Sequence, residues 1–277
     1  MEARENQYVY DHEAGNEADI ARLIDQYAAI VQSTGLFHPA FHPQGNETLL
    51  DIGCGPGSWS LDVAFQYEDM SIIGLDMKED TILYALARAS SSGRENVSFE
   101  AHDVTKSLPV QDVSVDYVNI SLANSFLLKE QWPELLKECQ RVLKPGGWLR
   151  SVEVLTFQTS SRAARDLWRY RTRASEKDDK RYFEMAPYLV SLLTEAGLLA
   201  TPLAIHPVDF SEHSPFHKAL SKDWYVSATL LVPFIAKSGI ASQKELQRLI
   251  EEMQQDMMLP QFYALLFFTD IAARKPL

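Results

Sequence analysis

The sequence predicts an α/β fold on a doubly wound, mostly parallel sheet, and three observations carry that prediction. Strand-like and helix-like segments alternate from about residue 46 to 157. The first strand runs straight into a glycine cluster, "DIGCGPG", that opens a helix, and the second strand ends on an acidic residue, Asp76. Such alternation gives a parallel sheet with helices on both faces. Ligands of these sheets bind beyond the carboxyl ends of the strands, near the switch in strand order.

Each element has its own signal. "NEADIARLIDQYAAIVQS" spaces Ile20, Leu23, Ile24, Tyr27, Ile30 and Val31 as one face of an amphipathic helix, opened by Asn16 or Glu17 and closed by Gly35. "TLLDIG" reads as a buried strand, "SWSLDVAFQY" as a helix and "MSIIGLD" as the second strand. "KEDTILYALARASSS" is the next helix, ending at Gly93, followed by the strands "NVSFEAHDV" and "VSVDYVNISLA". "KEQWPELLKECQRVL" is a helix stopped by "KPGG", and "WLRSVEVLTF" is the fifth strand.

Beyond it come the charged helix "SRAARDLWRYRTRASEKDDKR", the helix "MAPYLVSLLTEAG" and the extended "LATPLAIHPVDFS". A helical pair, "PFHKALSKDWYVSATLLVPFIAKSG" and "SQKELQRLIEEMQQDMM", precedes a last apolar strand, "FYALLFFTDIAA". The expected organisation is one domain over 1–277. Residues 1–45 form a helical cover, 46–157 the ligand-binding core, and 158–184 with 212–259 helical insertions that make a lid over the substrate.

Composition narrows the function. The net charge of −12 opposes binding to phosphate backbones and anionic membranes, so neither nucleic acid nor a membrane is an expected partner. The longest apolar runs, such as "YALLFF", fall far short of the roughly 20 residues that span a bilayer. Two cysteines without metal-ligand spacing offer neither a disulfide framework nor a zinc site, so no metal is expected. With no secretory pattern at the N-terminus, the expected compartment is the cytoplasm.

Gly53, Gly55 and Gly57 lack Cβ atoms, so backbone N–H groups can approach a ligand there; a tight strand-to-helix turn would use the same residues. Asp76, about 20 residues on, suits hydrogen bonds from ribose hydroxyls, although it also precedes a helix that it could cap. Dinucleotide sites favour G-x-G-x-x-G, whereas this loop is G-x-G-x-G behind Asp51, a carboxylate that suits a cation better than a diphosphate. An adenosine with a positive centre fits both acids, and S-adenosyl-L-methionine is such a molecule.

On "LLDIGCGPG", "GLDMKED", "AHDV", "VDYVNISLA" and "RVLKPGGWL", in that order and spacing, the sequence resembles the class I S-adenosylmethionine-dependent methyltransferases over Leu49 to Leu155. Its general shape is similar to the quinone- and sterol-biosynthesis branch of that family. The resemblance implies a Rossmann-like seven-stranded sheet whose last strand, here "FYALLFFTDIAARKP", runs antiparallel. It also implies that Asp51, Gly53, Gly55 and Gly57 hold the methionine end of the cofactor and that Asp76 takes the ribose. Met77 packs on the adenine, Asp103 accepts from its amino group and Val104 offers its N–H. Asn119 and Ser121 border the sulfonium and its methyl group.

The activity so implied is methyl transfer to oxygen, carbon or nitrogen of a small molecule of quinone, isoprenoid or specialised-metabolite type. The alternative left open is an S-adenosylmethionine-binding enzyme of the same fold that performs a cyclisation or decarboxylation. For proton abstraction the candidates are Glu153, at the end of the fifth strand, and His206 and His217 in the later elaboration. Arg162, Arg165 and Arg169 share one helix face, where they either clamp an anion or form a solvated row paired with nearby acids. Tyr8, Tyr10, Tyr27, Trp168, Tyr170, Phe183, Tyr188, Trp224 and Tyr225 are candidates to line an apolar substrate pocket.

Overall fold

The computed structural model describes residues 16–178, 180 and 185–277. The alternating half of the chain forms β1 (Thr48–Ile52), α2 (Ser58–Gln66), β2 (Ser71–Asp76), α3 (Glu79–Ser91), β3 (Val97–Ala101), β4 (Val115–Ser121), α4 (Trp132–Val142) and β5 (Leu143–Thr159), preceded by α1 (Asn16–Thr34). After it come α5 (Arg162–Asp178), α6 (Ala186–Glu195), β6 (Leu199–Ala200), β7 (Ala204–Asp209), α7 (His217–Leu230), α8 (Val232–Ser238), α9 (Gln243–Met257) and β8 (Ala264–Arg274).

The strands lie in the order β3-β2-β1-β4-β5-β8-β6, with β7 also paired to β8. The pairings from β3 to β5 are parallel, and β8 runs antiparallel to β5, β6 and β7. Eight strands therefore stand where seven were expected, because "LATPLAIHPVDFS" divides into β6 and β7 along one edge of β8. Pro202 lies in the break; having no N–H, it cannot extend a ladder. Likewise the segment expected to form one helix after residue 215 breaks between α7 and α8, where Pro233 stands in the first turn of α8.

Both sheet faces are covered. Trp132, Leu135, Leu136 and Cys139 of α4, with Leu189 and Leu193 of α6, pack against Leu50, Ile52, Val118 and Ile120. Near the β5 end, Leu167 of α5, Leu220 of α7, Ile235 of α8 and Leu246 and Met253 of α9 pack with Val152, Phe157 and Phe268. Buried Arg150 on β5 donates to both oxygens of Asp270 on β8, at 2.9 and 2.8 Å. It also donates to the carbonyls of Thr34, Gly35 and Leu36 at 2.9–3.0 Å, which ties the C-terminus of α1 to the sheet. No helix among the described residues is long and apolar enough to cross a membrane.

Candidate active site

The strand order reverses between β1 and β4, so the crevice beyond their carboxyl ends is where a parallel sheet of this kind takes a ligand. The glycine loop forms one wall of that crevice. Gly53 and Cys54 donate to the Leu75 carbonyl at 2.8 and 3.0 Å, tying the tip of β1 to β2. Gly55 has φ +53°, and a Cβ on it would meet only Leu23 Cδ1, at 4.0 Å, so this residue leaves space on the cleft side. Its N–H donates to Asp76 Oδ2 at 3.0 Å, and Lys78 N–H donates to Asp76 Oδ1 at 2.9 Å. Gly57 serves the scaffold instead: a Cβ there would sit 2.6 Å from the Phe99 ring.

Two carboxylates flank this wall. The β1–β4 register sets Asp51 beside Asn119, and Asn119 Nδ2 donates to Asp51 Oδ1 at 2.9 Å. Ser60 donates to the other oxygen at 2.6 Å. Burial pushes Asp51 up to about 6, its hydrogen bonds oppose that rise, and the nearby Asp76 charge adds to it. Burial also raises Asp76, against the N–H groups of Lys78 and Gly55. The Lys78 charge also lowers Asp76, whereas buried Asp51 has a second carboxylate near it, a setting that favours a cationic partner beside Asp51.

The rest of the cleft is built by helices outside the parallel core. Tyr27 and Leu23 of α1, Trp168 of α5, Trp224 and Asp223 of α7 and Ile235 of α8 line it, around about 1690 Å³ of empty space that includes the open mouth. Trp224 stacks on Phe157 with centroids 3.9 Å apart and lies 5.7 Å from Trp168, giving an aromatic wall. Tyr27 donates to Asp62 at 2.8 Å. Arg22, buried in α1, bonds Asp19 at 2.9 Å and Asp223 at 3.0 Å, while Lys78 reaches Asp19 at 3.5 Å. This charged cluster joins α1, α7 and the segment after Asp76.

Asp51, Gly53, Gly55, Asp76, Asn119 and Ser121 therefore line one cleft, and Gly57, Met77, Asp103 and Val104 lie outside its lining. Val104 is buried in the core and Met77 is 40% exposed. Asp103 accepts from the Thr105 N–H and hydroxyl at 3.0 and 2.6 Å. His102 N–H donates to the Asp76 carbonyl at 2.8 Å, so Asp103 stands at the strand tip next to Asp76.

The expected proton acceptors do not face the cleft. Glu153 is fully buried and accepts the Ala123 and Asn124 N–H groups at 2.8 and 3.3 Å. His206 lies on β7 with Nε2 3.6 Å from Asp270, and His217 Nδ1 contacts the Phe210 carbonyl at 3.0 Å. Arg162 and Arg169 pair with Asp166, and Arg165 donates to the Thr159 carbonyl, so that row is not an anion clamp in the cleft. Of the nine aromatics, Tyr27, Trp168 and Trp224 line the cleft and Tyr170, Tyr188 and Tyr225 do not; Tyr8, Tyr10 and Phe183 lie outside the described residues. Among the described residues, no group of His, Cys, Asp or Glu side chains is arranged to hold a metal.

Sequence reasoning missed Arg22, Lys78, Asp223 and the turn residues Asn124, Ser125 and Phe126, all of which line the cleft. Lys78 had a signal, standing two residues beyond Asp76. Arg22 and Asp223 had none, since they are 201 residues apart.

Residues 43–189 match a family model described as a methyltransferase domain. The chain is 33% identical over 113 residues to demethylmenaquinone methyltransferase of Shouchella clausii, covering 40% of this chain and 46% of that protein. It is 27% identical over 144 residues to the secondary metabolism regulator laeA of Aspergillus flavus, covering 52% of this chain and 36% of that protein. The chain thus spans less than half the length of these curated relatives. The crystal structure of the cyclase SpnF superimposes with a TM-score of 0.56 at 21% identity, over 99% of this chain and 89% of that one.

Proposed function

The chain belongs to the methyltransferase domain family, and from that premise we propose that it transfers a methyl group from S-adenosyl-L-methionine to a small, partly apolar acceptor. The observation that carries this reading is a pair of acids, buried Asp51 and half-buried Asp76, flanking a glycine whose cleft side is open. When bound, S-adenosyl-L-methionine supplies an electrophilic methyl on a sulfonium and leaves as S-adenosylhomocysteine.

In this reading Asp76 accepts from the ribose hydroxyls, and the Asp51 charge, held by Ser60 and Asn119, faces the methionine end with Gly53 and Gly55. Gly57 contributes by seating α2. Met77 covers the adenine, with Asp103 and the Val104 N–H reading its edge from the neighbouring tip. Asn119 and Ser121 border the methyl group. The helices α1, α5, α7 and α8 exclude water, and the wall of Trp168 and Trp224 selects an apolar acceptor. Holding two reactants in line is worth roughly 7–11 kcal/mol of barrier, so positioning is the main contribution asked of the protein. Glu153, His206 and His217 are assigned no proton transfer. Two free, buried cysteines suit a reducing compartment, and the cytoplasm is the proposed one.

The test is incubation of the purified protein with S-adenosyl-L-methionine and a panel of quinols, phenols and isoprenoid derivatives, read by mass spectrometry. Release of S-adenosylhomocysteine with a product heavier by one methyl is expected for at least one acceptor. Binding of the nucleoside with no release in any case would overturn the transfer assignment.

A further inference from the structure

Resting on that reading, we propose that Glu153 is a positioning residue for the transfer. It clamps the turn after β4 from behind, and so fixes the wall against which methyl group and acceptor align. Four observations carry the proposal. Glu153 stands near the cleft end of β5, fully buried, and one oxygen accepts the Ala123 N–H at 2.8 Å while the other accepts the Asn124 N–H at 3.3 Å. Those N–H groups open the short 3₁₀ turn Ala123–Ser125, whose preceding residue, Leu122, offers no side-chain cap. Buried N–H groups at a helical start need an acceptor, and Glu153 supplies it from another strand.

Leu122 itself is held at φ +57° and ψ 30°, a left-handed conformation unfavourable for a leucine that persists only where its surroundings impose it. Its N–H donates to the Val152 carbonyl at 2.8 Å, so the turn is pinned to β5 by two successive residues, Val152 and Glu153. Finally, this turn is the cleft wall: Ser121, Leu122, Asn124, Ser125 and Phe126 all line it. The Phe126 ring lies so close to Gly53 that a Cβ there would be 2.8 Å away, which couples the turn to the glycine loop.

A carboxyl group can accept through both oxygens, whereas an amide of the same shape turns an NH₂ toward one of the two N–H donors. Glu153→Gln therefore breaks half of the clamp at constant volume. Three measurements on the full chain score it: steady-state methyl transfer, calorimetric binding of S-adenosylhomocysteine, and amide hydrogen exchange. The variant is expected to lose roughly tenfold or more in kcat, to keep nucleoside affinity within about threefold, and to exchange faster over residues 121–126 but not in β1. A kcat within about twofold of wild type, or a loss of affinity as large as the loss of kcat, overturns the proposal.

Should the variant fail to fold, the wild type decides. Ala123 and Asn124 amides that exchange as fast as exposed loop amides show that no clamp exists, and slow exchange supports it. Wild-type protein that binds no nucleoside and turns over no acceptor removes the functional reading. Normal wild-type turnover with an unimpaired Glu153→Gln variant removes the clamp alone.

Discussion

Gly57→Ala and Gly55→Ala separate the scaffold role of the glycine loop from its ligand role. Both residues have positive φ, +73° and +53°, so a Cβ at either costs about 1–2 kcal/mol through the left-handed backbone. At Gly57 the added carbon also lands 2.6 Å from the Phe99 ring and 3.1 Å from Ala85 Cβ. Overpacking of that kind costs a further ~1–3 kcal/mol, for a total of about 2–5 kcal/mol. Set against a typical stability of about 5–15 kcal/mol, this is a large loss. At Gly55 nothing lies nearer than Leu23 Cδ1, at 4.0 Å, so the cost stays at the backbone value. There the new methyl occupies the cleft side of the wall and competes with the nucleoside.

Urea unfolding and calorimetry with S-adenosylhomocysteine read the two effects independently. The expected pattern is a Gly57→Ala destabilised by the larger amount whose folded fraction binds normally, and a Gly55→Ala that loses only the backbone cost of about 1–2 kcal/mol but binds roughly tenfold or more weakly, which is about 1.4 kcal/mol. Equal affinities for Gly55→Ala and wild type, or an unaltered unfolding midpoint for Gly57→Ala, would refute the assignment of the two glycines.

Two further predictions concern buried charge. Arg22→Met strips the guanidinium from Asp223, which is fully buried, and is expected to destabilise by about 3–5 kcal/mol. The double variant Arg22→Met with Asp223→Leu should regain most of that loss in urea unfolding; simple additivity would show that the pair is not coupled. For Glu153, burial places the folded group near 8, above its ordinary 4.5. The folded state therefore binds the proton more tightly, and this contribution is fully present below about pH 4.5 and lost as pH rises through about 8. Between pH 5.5 and 8.5, wild type should lose about 3 kcal/mol more than Glu153→Gln, and parallel stability profiles would contradict it.

Much of the cleft was readable because chain order and spacing carry it. The glycine loop follows β1, Asp76 ends β2 and Asn119 lies near the end of β4, and the topology brings the carboxyl ends of these parallel strands to one edge. What was not readable depends on which face a strand presents. β5 is buried on both sides, so no alternation of apolar and polar residues marks its parity, and Glu153 faces the β4 turn instead of the cleft. His206 pairs across an edge strand whose partner residues lie about 60 positions away. The cover helix shows its apolar stripe plainly, yet the stripe does not reveal that Arg22, off that face, is buried against α7. Pro202 and Pro233 did mark the two breaks that divided an expected strand and an expected helix.

The central claim is that Asp76 takes the ribose of a sulfonium nucleoside whose methionine end lies along the open side of Gly55. Titration calorimetry of wild type and Asp76→Ala with S-adenosyl-L-methionine tests it most directly. Saturable binding to the wild type, weakened roughly tenfold or more in a variant that still unfolds cooperatively, is the predicted result. Absence of heat from the wild type at millimolar nucleoside, or equal affinity in the two proteins, would contradict it.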